Sequence, residues 1–171
     1  RGGRSEFDGH EDGFKNSVRV VQAAERAGFD ITLIAQRFLG PDLEAFVTAS
    51  ALAPVTSTIE LMVAIHPGML TPQVIAKMGA TLDRISGGRF CVNLVTGWWQ
   101  EEIDFFSNGT GWLDSTDDRY FRMGEDLEGV QGLWAREEFT FHGRFFDFED
   151  GKMPTRPIRF PPIYAASRSE I

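Results

Sequence analysis

Strand-like and helix-like hydrophobic patterns alternate along this chain of 171 residues. Runs of apolar, β-prone residues predict four strands, at 29–35, 59–65, 89–95 and 163–166. Apolar residues at steps of three and four predict amphipathic helices between them, at 14–27, 41–53, 71–85 and 115–134. Short connections join most of these elements, which is typical of right-handed βαβ units in a parallel sheet.

Local signals refine several of these elements. Pro41 opens the second helix, whose buried side we expect to include Leu43, Phe46 and Val47. The polar, Gly-rich residues 1–13 predict a loop. Alternating aromatic and polar residues over 139–148, on either side of a His-Gly pair, predict a small surface hairpin.

The fold class is therefore α/β with a parallel sheet, and we expect one domain over residues 1–171 with an inserted helix and hairpin at about 100–160. A closed (β/α)₈ TIM barrel needs eight strands and typically about 250 residues. We accordingly expect a partial TIM barrel of about four strands, cut at both ends. Its unpaired sheet edges would need a partner or the remaining strands.

Composition narrows the class of protein. A formal charge of −8 argues against a nucleic-acid surface, and no apolar run has the length of a membrane span or the form of a signal peptide. We therefore expect a cytoplasmic enzyme. The three histidines lack the spacing of a metal site, and Cys91, inside an apolar strand, is expected to be a buried and unreactive thiol.

Polar residues at the ends of strands are the first candidates for chemistry. Asn93 interrupts an apolar strand, and the next loop carries Trp98, Trp99 and two glutamates where parallel α/β folds bind ligands. The competing interpretation is a satisfied core amide under a packed aromatic lid. His66 also follows a strand, as a weak candidate for catalysis or as a loop histidine bonded to backbone. His142 is expected to be structural.

Seven segments, in this order, resemble the bacterial luciferase-like, flavin-dependent monooxygenases: AERAGFDITLIAQR, ASALAPVTSTIELMVAIHPG, KMGATLDRISGGRF, VNLVTGWW, DDRYFRM, EFTFHGRFF and PIYAASRSE. The resemblance extends from about Phe14 to the end of the chain. Within the family it is strongest to the dimethyl-sulfone, alkanesulfonate and pyrimidine monooxygenases. The GWW and HPG tripeptides most resemble the sulfone branch.

The resemblance implies an enzyme that takes reduced FMN from a separate NAD(P)H-dependent flavin reductase and uses dioxygen to oxidise a small organosulfur compound, such as a sulfone or alkanesulfonate, with cleavage of a C–S bond. It also implies a homo-oligomer. Pyrimidine-ring oxygenation, a deazaflavin-dependent oxidoreductase and a non-catalytic flavin-binding homologue are the alternatives.

The resemblance also implies cofactor-binding residues. Flavin-contacting positions after strands match Gln36, Arg37 and Glu102, and an amide within a strand matches Asn93. A pair at a helix start matches Arg119 and Tyr120, and a phosphate-binding serine matches Ser169. The catalytic groups of the family's second half-barrel have no counterpart here, so the catalytic residues are left unassigned.

Several of these residues have a structural alternative. Arg37 could be a surface salt-bridge partner, and Glu102 could stabilise the start of a helix after Trp99. Arg119 could pair with a neighbouring aspartate, Tyr120 could be a core residue, and Ser169 could be a simple N-cap.

Overall fold

The computed structural model describes residues 13–166. Its strands are β1 (Ile31–Ile34), β2 (Glu60–Ile65), β3 (Phe90–Val95), β4 (Phe139–His142), β5 (Asp147–Gly151) and β6 (Ile163–Ala166). Its helices are α1 (Gly13–Arg26), α2 (Ala45–Leu52), α3 (Pro72–Ser86), α4 (Gln100–Phe106) and α5 (Thr116–Ala135), with a 3₁₀ turn at Ala53–Val55.

Four of the strands form one parallel sheet in the order β1-β2-β3-β6. Because sequential strands are neighbours and a helix lies between most of them, the sheet has the connectivity of consecutive units of a (β/α)₈ barrel. The predicted α/β fold, as a four-stranded part of a barrel, is confirmed. Parallel pairing brings the carboxyl ends of all four strands to one edge.

The two faces of the sheet differ in how they are covered. One face carries the apolar core, with Leu61, Val63, Phe90 and Val92 against the helices. Side chains alternate along a strand, so the opposite face carries the intervening residues, including Asn93. This second face is unevenly covered, since Cys91 on β3 is fully buried whereas Tyr164 on β6 is 41% exposed.

Most elements begin and end where the sequence predicts. Thr71 caps α3 with Pro72 in its first turn, and Gly87 ends it at φ 71° in the left-handed region that favours glycine. Ser115 caps α5 through the amide of Asp118. The predicted hairpin is present as the antiparallel pair of β4 and β5.

The second helix departs from the prediction. It begins at Ala45 instead of Pro41, because the side chain of Glu44 accepts hydrogen bonds from the amides of Phe46 and Val47 and so caps it there. Val47 was expected on the buried side but is 68% exposed, and Leu43 lies before the helix and is 51% exposed. In this short, almost wholly apolar helix, periodicity did not distinguish the buried face.

Helix α5 packs on α3 and so reaches the carboxyl edge of the sheet. Gly79 of α3 allows this approach, since a Cβ there would lie 2.7 Å from the Phe90 ring and 3.0 Å from that of Trp134. The indole of Trp134 donates a hydrogen bond to the Ala76 carbonyl at 2.9 Å. This packing sets the first half of α5 beside the loop that follows β2.

The structure also bears on the Cys91 thiol, on membrane-spanning helices and on metal sites. Cys91 is fully buried, and burial raises the pKa of its thiol to about 12, which confirms an unreactive thiol. No helix within the described range is both long and apolar enough to cross a membrane. Residues 13–166 contain no cluster of three or more His, Cys, Asp or Glu suited to a metal ion.

Candidate functional site

Two buried polar side chains meet where β1 and β2 end. Gln36 is 2% exposed and His66 is 3% exposed. The amide of His66 donates to Oε1 of Gln36 at 2.9 Å, and Nε2 of the imidazole lies 3.2 Å from the Gln36 carbonyl oxygen. Because a carbonyl oxygen only accepts, this contact assigns the proton of a neutral ring to Nε2 and leaves Nδ1 as an acceptor.

The surroundings favour the neutral ring. Burial lowers the pKa of His66 below its ordinary value of 6.5, against the opposing effects of the Gln36 carbonyl, the charge of Glu102 and the nearby Val95 carbonyl. His66 is therefore uncharged at neutral pH. His66 is buried and hydrogen-bonded to backbone, as the structural alternative expects. Its Nδ1, however, has no hydrogen bond of normal geometry to a described residue.

Two buried polar atoms of this pair lack a hydrogen bond of normal geometry to any described residue, namely Nε2 of Gln36 and Nδ1 of His66. Leaving such a group unpaired costs about 1–3 kcal/mol, so native proteins rarely keep one without a reason. One atom is a donor and the other an acceptor. Both therefore keep hydrogen-bonding capacity that the described residues do not use.

Asn93 adds a third polar group on the neighbouring strand. In the β2–β3 register it pairs with Ala64, two residues before His66. It lies on the sheet face opposite the apolar core and is partly exposed, and its contact with a flavin stays a prediction. We call Gln36, His66 and Asn93 the polar edge.

Glu102 supports the polar edge from α4. It lies in the first turn of this helix, is 1% exposed, and accepts a hydrogen bond from the Leu39 amide at 2.9 Å. The carboxylate therefore ties α4 to the loop that carries Gln36. Glu102 lies in the first turn of the helix after Trp99, as the helix-start alternative expects, and its carboxylate also binds the backbone of Leu39. A cofactor contact by Glu102 stays a prediction.

Arg37 is turned to a different partner. Its Nη2 lies 2.5 Å from Oδ2 of Asp42, and the Arg37 side chain is 37% exposed. The structure thus shows the surface ion pair that the sequence left open as an alternative. A flavin contact by Arg37 stays a prediction.

Arg119 and Tyr120 lie near the start of α5. The guanidinium of Arg119 lies over the Trp112 ring and donates to the Leu113 carbonyl at 2.5 Å. The neighbouring Asp118 pairs with Arg144 instead. Tyr120 is half-buried. The cofactor roles of both residues stay predictions, and Ser169 lies outside the described residues.

The aromatic residues after β3 form a partly exposed pair. The ring centroids of Trp98 and Trp99 are 5.6 Å apart, and Trp98 is 62% exposed. They lie in the loop between β3 and α4, at the same edge of the sheet as His66.

Sequence reasoning missed Arg122 and Asp126, which are 4% and 0% exposed. Arg122 donates to the Pro67 carbonyl, next to His66, at 2.8 Å. A signal was available, since Arg122 and Asp126 continue at steps of four the buried stripe that contains Val130 and Trp134. Charged residues at such positions are usually assigned to the solvent face, which concealed them.

Comparison with known proteins identifies the family of this chain. The family model of the luciferase-like monooxygenases matches residues 2–171. The chain is 36% identical over 148 residues to an FMNH₂-dependent dimethylsulfone monooxygenase of Pseudomonas putida, covering 84% of this chain and 40% of the relative. It is 34% identical to the pyrimidine monooxygenase RutA of Stutzerimonas stutzeri, covering 92% and 46%.

A solved structure agrees with these sequence relatives. The monooxygenase RslO1 of Streptomyces bottropensis superposes with a TM-score of 0.78 at 27% identity, covering 91% of this chain and 47% of that one. The chain thus spans less than half the length of the curated relatives and of this structure. From the family match and these identities, the chain belongs to the luciferase-like monooxygenase family.

Proposed function

We propose that this chain forms part of the flavin site of an FMNH₂-dependent monooxygenase. The observation that carries the proposal is the pair of unpaired buried atoms, Nε2 of Gln36 and Nδ1 of His66, at the carboxyl edge of the sheet. Ligands of open and closed parallel α/β folds bind at this edge. Relatives named as FMNH₂-dependent enzymes support FMN as the ligand.

The chemistry of the polar edge fits an isoalloxazine ring. The ring's pyrimidine half presents carbonyl acceptors and an N–H donor, which match a carboxamide donor and a neutral imidazole acceptor. The carboxamide of Asn93 offers either polarity. These three residues would hold the ring, while Arg37, Arg119, Tyr120 and Ser169 are proposed as further cofactor contacts on the family resemblance alone.

The protein's own residues would orient the flavin and exclude water. Burial of Gln36 and His66 keeps the hydrogen-bonding groups dry, and a dry site strengthens each polar contact. We propose that Glu102 acts through the Leu39 amide, holding the Gln36 loop in position. When bound, reduced FMN would supply the two electrons with which one atom of dioxygen enters the substrate and the other leaves as water.

For the substrate we propose a small organosulfur compound such as a sulfone. With dimethyl sulfone, insertion of one oxygen atom and cleavage of one C–S bond would give methanesulfinate and formaldehyde, while FMNH₂ loses two electrons to become FMN. The second candidate is a pyrimidine ring, supported by the similarity to RutA. A separate NAD(P)H-dependent flavin reductase, a cytoplasmic location and a homo-oligomer complete the proposal.

The first experiment measures binding of reduced FMN under anaerobic conditions, followed by tryptophan fluorescence, to which Trp98 and Trp99 beside the polar edge contribute. Gln36→Glu retains an oxygen to accept from the His66 amide but loses the Nε2 donor. We expect it to weaken binding about tenfold, the effect of one lost hydrogen bond. Gln131→Glu on α5 is the matched control and should bind as the unmodified chain does. Absence of binding by the unmodified chain would overturn the proposal.

The second experiment adds oxygen and a flavin reductase with dimethyl sulfone, methanesulfonate or uracil in turn. Formaldehyde released from dimethyl sulfone in an oxygen-dependent manner would support the sulfone substrate. Turnover of uracil alone would favour the pyrimidine branch. Flavin binding without turnover of any compound would indicate a non-catalytic homologue, and oxygen-independent reduction with a deazaflavin would indicate the third class.

A further inference from the structure

The loop after β2 is held from two sides. On one side, the His66 amide donates to Oε1 of Gln36 at 2.9 Å. On the other side, Nη2 of Arg122 donates to the Pro67 carbonyl at 2.8 Å. His66 therefore lies between a contact from Gln36, in the loop after β1, and a contact from Arg122 of α5.

Arg122 also connects this loop to a second segment. Its Nη1 donates to the Gly111 carbonyl at 2.6 Å, in the connection between α4 and α5. A planar guanidinium can span two carbonyl groups in a fixed direction, which a single ammonium group does less well. Arg122 is thus a bridge between the His66 loop and the segment that follows α4.

Gly68 leaves the space that this bridge occupies. Its φ of 97° lies in the left-handed region, and a Cβ at this position would lie 2.5 Å from Cζ and Nη1 of Arg122. Such a separation is shorter than real Cβ contacts allow. The glycine and the arginine therefore form one arrangement, in which a side chain at residue 68 would displace the guanidinium.

Placing a charge here has an energetic cost. Arg122 is 4% exposed, and burial lowers the pKa of its guanidinium, opposed by the nearby carboxyl of Asp126 when that carboxyl is ionised. Removing a cation from water is unfavourable, and apolar residues of similar volume often serve stability as well or better. Stability alone does not explain the arginine, whereas fixing the backbone beside His66 does.

We propose that Arg122 is a positioning residue of the site, which fixes His66 by bridging the carbonyls of Pro67 and Gly111. The inference rests on the proposed function, in which His66 contacts the flavin. Arg122 does not contact the flavin in this proposal. It acts through the backbone of residues 66–69.

The test begins without flavin, by hydrogen exchange of the unmodified chain and of Arg122→Met, which keeps bulk but has no donors. We expect amides of residues 66–70 to exchange about tenfold faster in the variant, as expected when local opening becomes easier by about one charged hydrogen bond. Amides of β3 should keep their protection. Arg144→Met, which removes an exposed ion pair, is the control and should leave the loop unchanged.

The second readout is binding of reduced FMN by the same variants. We expect Arg122→Met to weaken binding about tenfold and Arg122→Lys to recover part of it. If the methionine variant does not fold, Arg122→Lys, which keeps the charge but cannot span both carbonyls, provides the comparison and should show an intermediate loss of protection and of binding.

The outcomes separate the two proposals. Unchanged loop exchange and unchanged FMN binding in the Arg122 variants, with binding by the unmodified chain, would overturn the positioning role. Faster loop exchange in a chain that binds no reduced FMN would overturn the proposed function and leave the bridge established.

Discussion

Replacing Asp126 by Asn should change how stability depends on pH. Asp126 is fully buried in α5, and neither carboxyl oxygen has a hydrogen bond to a described residue. Burial raises the pKa of this carboxyl to about 8, with Arg122 opposing the shift and Glu125 adding to it. The folded protein therefore holds a neutral carboxylic acid at pH 7.

The sign follows from the raised pKa. An unfolded Asp ionises near 3.8 and the folded one near 8, so its favourable contribution is complete below 3.8 and is lost as the pH rises towards 8. Each pH unit in this window costs up to about 1.4 kcal/mol, which gives a ceiling of about 4 kcal/mol at pH 7. Relaxation around a buried charge reduces such effects, and we expect about 2 kcal/mol.

The assay is urea unfolding followed by tryptophan fluorescence at pH 4, 5.5, 7 and 8. Asp126→Asn removes the ionisation, so the variant should match the unmodified chain at pH 4 and exceed it by about 2 kcal/mol at pH 7. Asp117→Asn, an exposed position on the same helix, should show no such trend. A difference between the Asp126 variant and the unmodified chain that does not vary with pH would refute this reasoning.

Three further predictions concern the packing of two glycines, the carboxylate of Glu25 and the thiol of Cys91. In thermal unfolding, Gly79→Ala should destabilise the protein by about 1–3 kcal/mol, because the added methyl group overpacks against Phe90. Gly124→Ala should instead stabilise α5 by up to about 1 kcal/mol, because no atom lies within 4 Å of the added Cβ. The Glu25 carboxylate accepts the amides of residues 57–59, which lowers its pKa to about 2. Its stabilisation is present above 4.5 and lost as the pH falls towards 2, so Glu25→Gln should cost about 1 kcal/mol at pH 7 and less at pH 3 in urea unfolding. Cys91 should resist alkylation at pH 8 until urea unfolds the chain, and rapid labelling of the native protein would contradict its burial.

Hydrophobic periodicity predicted the sheet well because each strand and each long helix has one consistent environment. Along α3, apolar residues recur at helical steps, and its Pro72 start and Gly87 end follow from local backbone chemistry. The same reasoning failed for α2, where the Glu44 cap, rather than Pro41, sets the first turn. Which of two capping sites prevails depends on contacts that sequence spacing does not contain.

The candidate site was partly predictable for a similar reason. The rule that ligands bind at the carboxyl ends of parallel strands selected His66 from its position, and the family resemblance supplied Gln36. It could not show that they bond to each other, because that contact joins residues thirty positions apart. Arg122 was missed because its partners are backbone carbonyls, which no side-chain pattern in the sequence reveals.

The strands and the later helices contribute differently to the polar edge. The strands set its polar groups in register, but strand pairing ends at Ile65 and does not reach the loops in which Gln36 and His66 lie. Those loops are fixed instead by side chains from later elements, Glu102 from α4 and Arg122 from α5. Both are buried ions bonded to backbone, and such contacts set direction more strictly than apolar packing does. In the proposed flavin site, the position of the ring would therefore depend on residues that need not touch it.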